Sequence, residues 1–413
     1  MRRAPALSFL LATVFIDMLG LGLIVPMVPA LMGTITADPA HAARWSGVID
    51  SSYGILQFIT APLLGRLADR YGRRPVLLTS LGFLGVDYLA HAVFPTVASL
   101  VFFHGLAGAF AGTGTVVNAY VADVTPPAGR ARAYGLVGAA FALGFVAGPA
   151  VGGLLGAVDV RLPFAAAAVL AFANVTYGLV ILPESRPGDR TTPLTLTSPL
   201  GALSAVLRRP VLGRLAAARF CADIARNVQQ ALWTFFVAYQ LAWGTARTGI
   251  VMAAGALAGA VFSARAIGPV VRRLGDRRAA VLGTALSALT LTGTAFAVTA
   301  SYIYALQAVG VLAAVGGAAS QSWISRSTGA DEQGTVQGAL TGGAALAEAL
   351  IPLAATALFA WSLPHGVPGL AFVAAGAFAA TSAVLLAATG RPGNLAPARS
   401  PIRPPGGSVQ SDD

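Results

Sequence analysis

The sequence predicts an all-α membrane protein of twelve transmembrane helices, arranged as two pseudo-symmetric six-helix bundles. Composition is the first observation: 56% of the 413 residues are hydrophobic and only 10% are charged. The mean hydropathy is +0.73, outside the range of soluble globular chains. The second is a count of apolar runs, since a spanning helix needs about 20 mostly apolar residues. Twelve runs qualify, near 7–32, 46–67, 76–94, 97–121, 134–157, 162–182, 213–241, 249–270, 279–299, 302–325, 334–360 and 366–389. The third is a repeat. The basic stretch Gly65–Arg74 follows the second run, and a degenerate copy (Gly268, Arg272, Arg273, Gly275, Asp276, Arg277) follows the second run of the other half. Glycines and basic positions recur at the same offsets, with Arg272 standing where the first copy has Asp69.

Gly65–Arg74 reads as a tight loop between two buried helices, because its arginines are costly in hydrocarbon and place it at a membrane face. Gly65 and Gly72 allow close approach and a sharp turn there. Residues 1–182 form the predicted N-terminal bundle, 183–209 a polar central loop, 210–390 the C-terminal bundle and 391–413 a disordered tail rich in Pro, Gly and Ser. The Met1-Arg2-Arg3 start imitates a secretory signal, but Asp17, Pro26 and the following spans make it a retained first helix.

All 27 basic residues are Arg, which reads as coding bias. The net charge of +11 reflects topology rather than nucleic-acid binding, since the arginines cluster between apolar runs. Arg2, Arg3, the Gly65–Arg74 stretch, Arg130, Arg132, Arg186, Arg190, Arg208, Arg209, Arg214, Arg272, Arg273, Arg277, Arg278, Arg326 and the tail's Arg391, Arg399 and Arg403 fall on one side. The opposite loops hold Arg44, Arg161 and Arg247. By the positive-inside rule both termini are cytoplasmic. Cys221 is the single cysteine, so no internal disulfide forms.

Charge inside a span costs several kcal/mol on most scales, so each example needs a reason. Asp17 lies in the first span, Asp87 in the third, Arg219, Asp223 and Arg226 in the seventh, Arg265 in the eighth and Glu348 in the eleventh. One reading is structural: Asp223 and Arg226, three residues apart, neutralise each other. The other is functional, because a carboxyl in low dielectric can bind and release a proton near neutral pH. Asp17, Asp87, Asp223, Glu348 and His104 are the proton-coupling candidates, His104 sharing its place with a structural, hydrogen-bonded reading. No metal-ligand spacing, nucleophile elbow or phosphate-cradling motif is present, so no enzyme is expected.

The fifth span holds the sharpest pattern: Gly135, Gly144, Gly148-Pro149 and Gly152-Gly153. In a bland reading Gly and Pro merely kink a membrane helix; small residues also let helices touch closely.

With these motifs in place the chain resembles the major facilitator superfamily, and within it the twelve-span drug/proton antiporters of the tetracycline-efflux group. The resemblance rests on Asp17–Pro29, Gly54-x2-Gln57, Gly65–Arg74, Asp87-Tyr88, Ala122-Asp123 with Arg130, and Gly144–Gly153; the Gln333–Gly338 run extends it more thinly into the second half. It implies a cytoplasmic gate of Gly65, Asp69, Arg70, Gly72, Arg73, Arg74, Asp123 and Arg130. That gate would latch the cytoplasmic side and break in the inward state, with Asp69 able to face the N-terminus of span eleven near Gln333. The Gly144–Gly153 antiporter motif implies a tight interface that resists proton leak. The substrate cavity is assigned to Asp17, Tyr53, Gln57, Asp87, Asn118, Arg226, Gln230 and Arg265.

Several positions depart from the group. His104 stands where members carry Arg, Ser287 where they carry an acid, and Gly259 and Ser263 where they carry His and Gln. The resemblance implies a proton-coupled antiporter, a monomer in the bacterial cytoplasmic membrane, exporting an amphipathic drug by alternating access. Tetracycline is the first expectation. No bound cofactor is expected; a proton gradient drives transport, and the substrate can travel as a divalent-metal chelate. Lipid surrounds the protein and nucleic acid is not a partner. The alternatives are an exporter of phenicols, fluoroquinolones or a secondary metabolite, a proton symporter for uptake, and a non-transporting receptor or scaffold.

Overall fold

The computed structural model describes residues 4–126, 129–185, 188–189, 199–328 and 332–390. Arg2, Arg3, Arg186, Arg190 and the tail 391–413 lie outside them. The N-terminal half runs through α1 (Ala4–Ile24), a 3-10 turn at Val25–Met27, α2 (Val28–Ile35), α3 (Pro39–Tyr71), α4 (Arg73–Val93), α5 (Val97–Ala109), α6 (Thr113–Val124), α7 (Arg130–Val158) and α8 (Leu162–Ile181). After α9 (Pro199–Leu207) the second half follows as α10 (Pro210–Leu241), α11 (Thr245–Arg265), α12 (Ile267–Thr294), α13 (Ala300–Ala313), α14 (Val315–Arg326), α15 (Gln333–Ser362) and α16 (Leu370–Ala388).

These helices make twelve membrane crossings. The first crossing is α1 with α2, bent where Pro26 and Pro29 interrupt the hydrogen-bond ladder. The fourth is α5 with α6 and the tenth is α13 with α14, each broken rather than continuous. At the first of these breaks the Gly112 amide donates to Ser80 Oγ at 3.3 Å. Nine of the helical segments are apolar enough to cross by composition alone. The other three, α3, α10 and α12, carry the charges discussed below. Large apolar side chains on the outer surface face lipid: Val158 is 80% exposed and Val180 79%.

One expectation changes. Most of Gly65–Arg74 is not a loop: α3 stays helical to Tyr71, α4 begins at Arg73, and Gly72 alone makes the turn at φ 100°. Only glycine adopts this conformation without strain. In the second copy α12 bends in the same way at Gly275, φ 75°. The 183–209 connection likewise contains a helix, α9.

Three hydrophobic cores organise the packing. On the face that holds the termini each half has its own: Phe9, Leu10, Leu64, Leu77 and Tyr120 in the first, Leu215, Ala279, Trp323 and Leu340 in the second. On the opposite face one core joins both halves, with Leu23, Met27 and Phe164 packed in the same cluster as Phe236, Phe359 and Phe372.

Candidate transport site

The halves meet where small residues let backbones touch. A Cβ on Gly47 would lie 1.9 Å from Thr356 Oγ1, and one on Gly54 2.7 Å from Ala349 Cα, so α3 and α15 are in backbone contact. Pro352 interrupts α15, and the Leu353 amide beside it donates across the interface to Ser51 Oγ at 3.1 Å. All these residues lie toward the face opposite the termini. Nearer the terminal face, Gly65 of α3 and Gly338 of α15 have open space. The interior is sealed on one face and diverges toward the other.

The antiporter motif has two working faces. Added Cβ atoms on Gly144, Gly148 and Gly152, four apart along α7, would fall 2.6 Å from Phe15 O, 2.5 Å from Gly22 Cα and 2.1 Å from Leu23 O of α1. Pro149 and Gly153 turn the other way and abut Gly249 and Thr245 of α11, with Thr245 Oγ1 donating to Gly153 O at 3.3 Å. Gly135 meets no neighbour within 4 Å.

A cavity of about 280 Å³ lies between the halves, lined by Asp17, Asp50, Tyr53, Tyr88, His104, Asn227, Gln230 and Glu348 among others. It brings together Asp17, Tyr53 and Gln230 of the assigned cavity set with the proton candidates His104 and Glu348. The other assigned residues lie elsewhere. Asp87 is fully buried, screened from the cavity behind His104. Gln57 is half-buried on α3, Arg265 is exposed in the last turn of α11, and Asn118 is exposed on α6, its carbonyl accepting from Tyr134 Oη at 3.2 Å. None of these four is among the residues that line the cavity.

Arg226 faces a second cavity of about 300 Å³ within the C-terminal half, with Arg219, Asp223, Gln229, Ser287 and Ser320. There Asp223 accepts from Arg219 Nε at 3.0 Å and lies 3.0 Å from Arg226. Asp223 is therefore held in an ion triad. Asn227, one turn on, anchors its side chain on the Asp223 carbonyl at 2.8 Å and faces the central cavity.

Two groups at or beside the cavity escaped sequence reasoning. Asp50 lines the central cavity; its place inside the second apolar run was the available signal. His91, near the end of the third run, joins Asp87 and His104 in a cluster in which one nitrogen of each ring and one Asp87 carboxylate oxygen lie within 4.8 Å of one another. Asp87 and His91 are four apart on α4, a spacing the sequence offered; the addition of His104 was not legible, because α4 and α5 meet only in the fold. His104 Nδ1 is 2.7 Å from Asp87 Oδ2, and His91 Nδ1 is 2.9 Å from the Asp87 carbonyl and 3.2 Å from Oδ1.

The gate residues are held by ion pairs and by helix-end groups. Asp69 lies 2.7 Å from Arg73, which is also 3.4 Å from Asp123. Arg130 donates to the carbonyls of Ala122 (2.9 Å) and Thr125 (3.2 Å), because the end of α6 leaves carbonyls unsatisfied. Arg74 caps the Leu179 carbonyl at the end of α8 in the same way. Arg70 lies over the Tyr71 ring, 5.7 Å from its centroid. Glu184, unremarked in the sequence, accepts from the amides of Arg73 (2.8 Å) and Arg74 (3.2 Å) at the start of α4, where the helix dipole favours an anion. A Cβ on Gly72 would lie 2.4 Å from Glu184 Oε2.

Two six-helix halves around one polar cavity, touching on one face and parted on the other, are the architecture of a secondary transporter. Comparison with known proteins narrows this. The sequence profile of the Major Facilitator Superfamily matches residues 10–218 and 215–408, and the chain belongs to that superfamily. It is 35% identical to the tetracycline resistance protein, class C, of Escherichia coli, covering 88% of this chain and 91% of that protein. The class G protein of Vibrio anguillarum is 34% identical, covering 87% and 91%. Among solved structures, the nucleoside transporter NupG superposes with a TM-score of 0.75 over 94% of this chain and 99% of that one, at 14% identity. The human organic anion transporter MFSD10 gives 0.67 at 22% identity, over 94% and 100%. These two likenesses concern the fold alone.

Proposed function

We propose that this transporter is a proton-coupled antiporter of the bacterial cytoplasmic membrane that exports an amphipathic drug, tetracycline foremost. The observation that carries the reading is the convergence of carboxylates from both halves, Asp17 and Asp50 from one and Glu348 from the other, on a single cavity. A carboxylate pays a large desolvation cost in a membrane protein and is retained where it binds an ion, a proton or a substrate. The likeness to tetracycline resistance proteins over most of the chain supports the direction and the compound. With the termini in the cytoplasm, as the arginine asymmetry indicates, the sealed face is the outer one and this conformation receives substrate from inside.

In this reading the substrate enters between the parted ends and lies against Asp17, Asp50 and Glu348. The Gly47–Thr356 and Gly153–Gly249 contacts keep the outer side shut. Protons arriving from outside compete for the same negative groups, and rocking of one half on the other exchanges the two faces. A drug carried as its divalent-metal chelate presents positive charge suited to these carboxylates, with no cofactor bound to the protein itself.

One observation favours another exporter substrate. Ser287 stands where the tetracycline-efflux group carries an acid, and it lines a cavity in which two arginines, Arg219 and Arg226, face the one carboxylate of Asp223. Inside-out vesicles with an imposed proton gradient, labelled tetracycline and a panel of phenicols and fluoroquinolones test both readings. Tetracycline accumulation that collapses with an uncoupler is expected. Accumulation of another compound alone moves specificity to the second cavity, and no gradient-driven uptake of any of them overturns the antiport reading.

A further inference from the structure

Asp87 is 0% exposed, and its carboxylate contacts two histidines from different helices. His104 of α5 touches Oδ2 at 2.7 Å, and His91, one turn along α4, lies 3.2 Å from Oδ1. By hydrogen-bond geometry Oδ1 has no partner, because His91 Nδ1 is aimed chiefly at the Asp87 carbonyl, 2.9 Å away. A buried carboxylate oxygen without a good donor is costly, and neither histidine is an obligatory cation. The charge of the cluster therefore depends on protons. With Asp87 ionised it is negative when both rings are neutral, zero with one imidazolium and positive with two.

The placement is directional. His91 sits in the last turn of α4, at the outer end of that helix, 7% exposed and stacked on Phe164 of α8 at 5.3 Å. His104 lies deeper, its side chain 17% exposed and its ring 4.9 Å from that of Tyr53, on the cavity wall. The two imidazoles are edge to face at 5.7 Å. Asp87 thus stands between a ring near the sealed face and a ring that opens on the transport cavity.

We propose that Asp87, His91 and His104 form the proton-loading site of the transporter, with His91 receiving the proton on the outer side and His104 presenting it to the cavity. This rests on the antiport reading and deepens it. One proton moves from outer water to His91, crosses to Asp87 Oδ1 when that ring turns from the Asp87 carbonyl to the carboxylate oxygen 3.2 Å away, passes from the Asp87 carboxyl to His104 Nδ1 and leaves from His104 to cavity water; no other bond changes. The titratable groups facing the site are Asp50 and Tyr53 from α3, Asp17 from α1, Tyr88 from α4 and Glu348 from α15, while α8 supplies the apolar Phe164. The ionisable groups around the rings are thus carboxyls and phenols. A proton on His104 removes one unit of negative charge from the wall that a cationic substrate would touch, so proton and substrate exclude each other electrostatically.

The chain has 4 histidines, and the other two, His41 and His365, are exposed at helix ends. Full-length protein labelled with 15N-histidine in detergent micelles allows each ring to be titrated between about pH 5 and 9, with His91→Gln and His104→Gln assigning the signals. The expected result is that His91 and His104 titrate as a coupled pair in two steps. Asp87→Asn should move both curves by about one pH unit or more and leave His41 and His365 unchanged. Rings that hold one protonation state throughout, or curves indifferent to Asp87→Asn, overturn the proposal. In vesicles, His91→Gln is expected to lower gradient-driven tetracycline accumulation about tenfold, the scale of 1.4 kcal/mol; wild-type accumulation in that variant also overturns it. If wild-type vesicles show no driven uptake, the antiport reading fails, and the titration alone decides whether the cluster loads protons. Should His91→Gln not fold, Asp87→Asn and His104→Gln carry the same titration.

Discussion

Arg73 Nε lies 3.4 Å from Asp123 Oδ2, joining the α3–α4 turn to the end of α6. At the same sequence offset in the second half, Asp276 and Arg326 are 3.1 Å apart. The pair is duplicated with its charges exchanged. Position 69 has changed with it, since Asp69, 2.7 Å from Arg73, is matched in sequence by Arg272. The shared feature is an ion pair that locks the turn, with its sign free to invert when both partners change.

The first prediction follows. Asp123→Arg places two guanidinium groups together and should lower stability by about 2 kcal/mol, the scale of a charge-assisted hydrogen bond. The triple change Asp69→Arg, Arg73→Asp, Asp123→Arg reproduces the arrangement of the second half and should restore at least half of that loss. Thermal unfolding of purified protein in detergent reads both, and a triple variant no better than the single one refutes the equivalence.

Gly72 and Glu184 make the same turn from the other side. Gly72→Ala combines a left-handed backbone with a Cβ 2.4 Å from Glu184 Oε2, and about 1–2 kcal/mol of backbone strain alone is expected. Glu184→Gln keeps the shape and removes the anion from the start of α4, a loss of about 0.3–1 kcal/mol. Unfolding midpoints in that order check the ranking.

The antiporter motif gives a contrast within one helix. Gly148→Ala must force Gly22 aside and should cost about 1–3 kcal/mol and impair transport. Gly135→Ala meets open space and should be neutral or stabilising by about 1 kcal/mol, the helix propensity difference. Equal effects at the two sites would show that close approach to α1 is not what Gly148 provides.

Asp17→Asn should sharply reduce gradient-driven export while membrane insertion, read by accessibility labelling of the loops, stays normal. Asp69→Asn should do the same through Arg73 rather than through the cavity. Glu348→Gln should impair or uncouple export. An unchanged rate in any of these inserted proteins removes that carboxyl from the mechanism.

Arg209 grips Glu332 through two hydrogen bonds of 2.6 and 2.9 Å outside the membrane. They hold the Glu332 carboxyl below its ordinary range. A depressed carboxylate stabilises the fold above its unfolded value and loses that contribution as pH falls through the folded one. The contribution of Glu332, read as the difference between wild type and Glu332→Gln, should therefore be flat from about pH 8 to pH 6 and shrink in acid. The difference is small and salt-sensitive, because both side chains are nearly half exposed. Melting curves across that range test it.

The sequence by itself determined the membrane class, the twelve crossings, the duplication and the motif positions. These follow from local physics: apolar length against bilayer thickness, arginine exclusion from hydrocarbon, and glycine spacing along a single helix. Asp17 and Glu348 were legible because a lone carboxylate in an apolar run is conspicuous. Only the tertiary structure decided which groups meet. It put Asp87 behind His104 instead of in the cavity, set His91 against His104, turned Arg226 into a separate cavity, and gave Arg130 to the carbonyls at the end of α6. Such pairings join residues on different helices, whose register and rotation are set by backbone contacts such as Gly148 on Gly22. Helix rotation is a property of the packed bundle, and no period within one span records it.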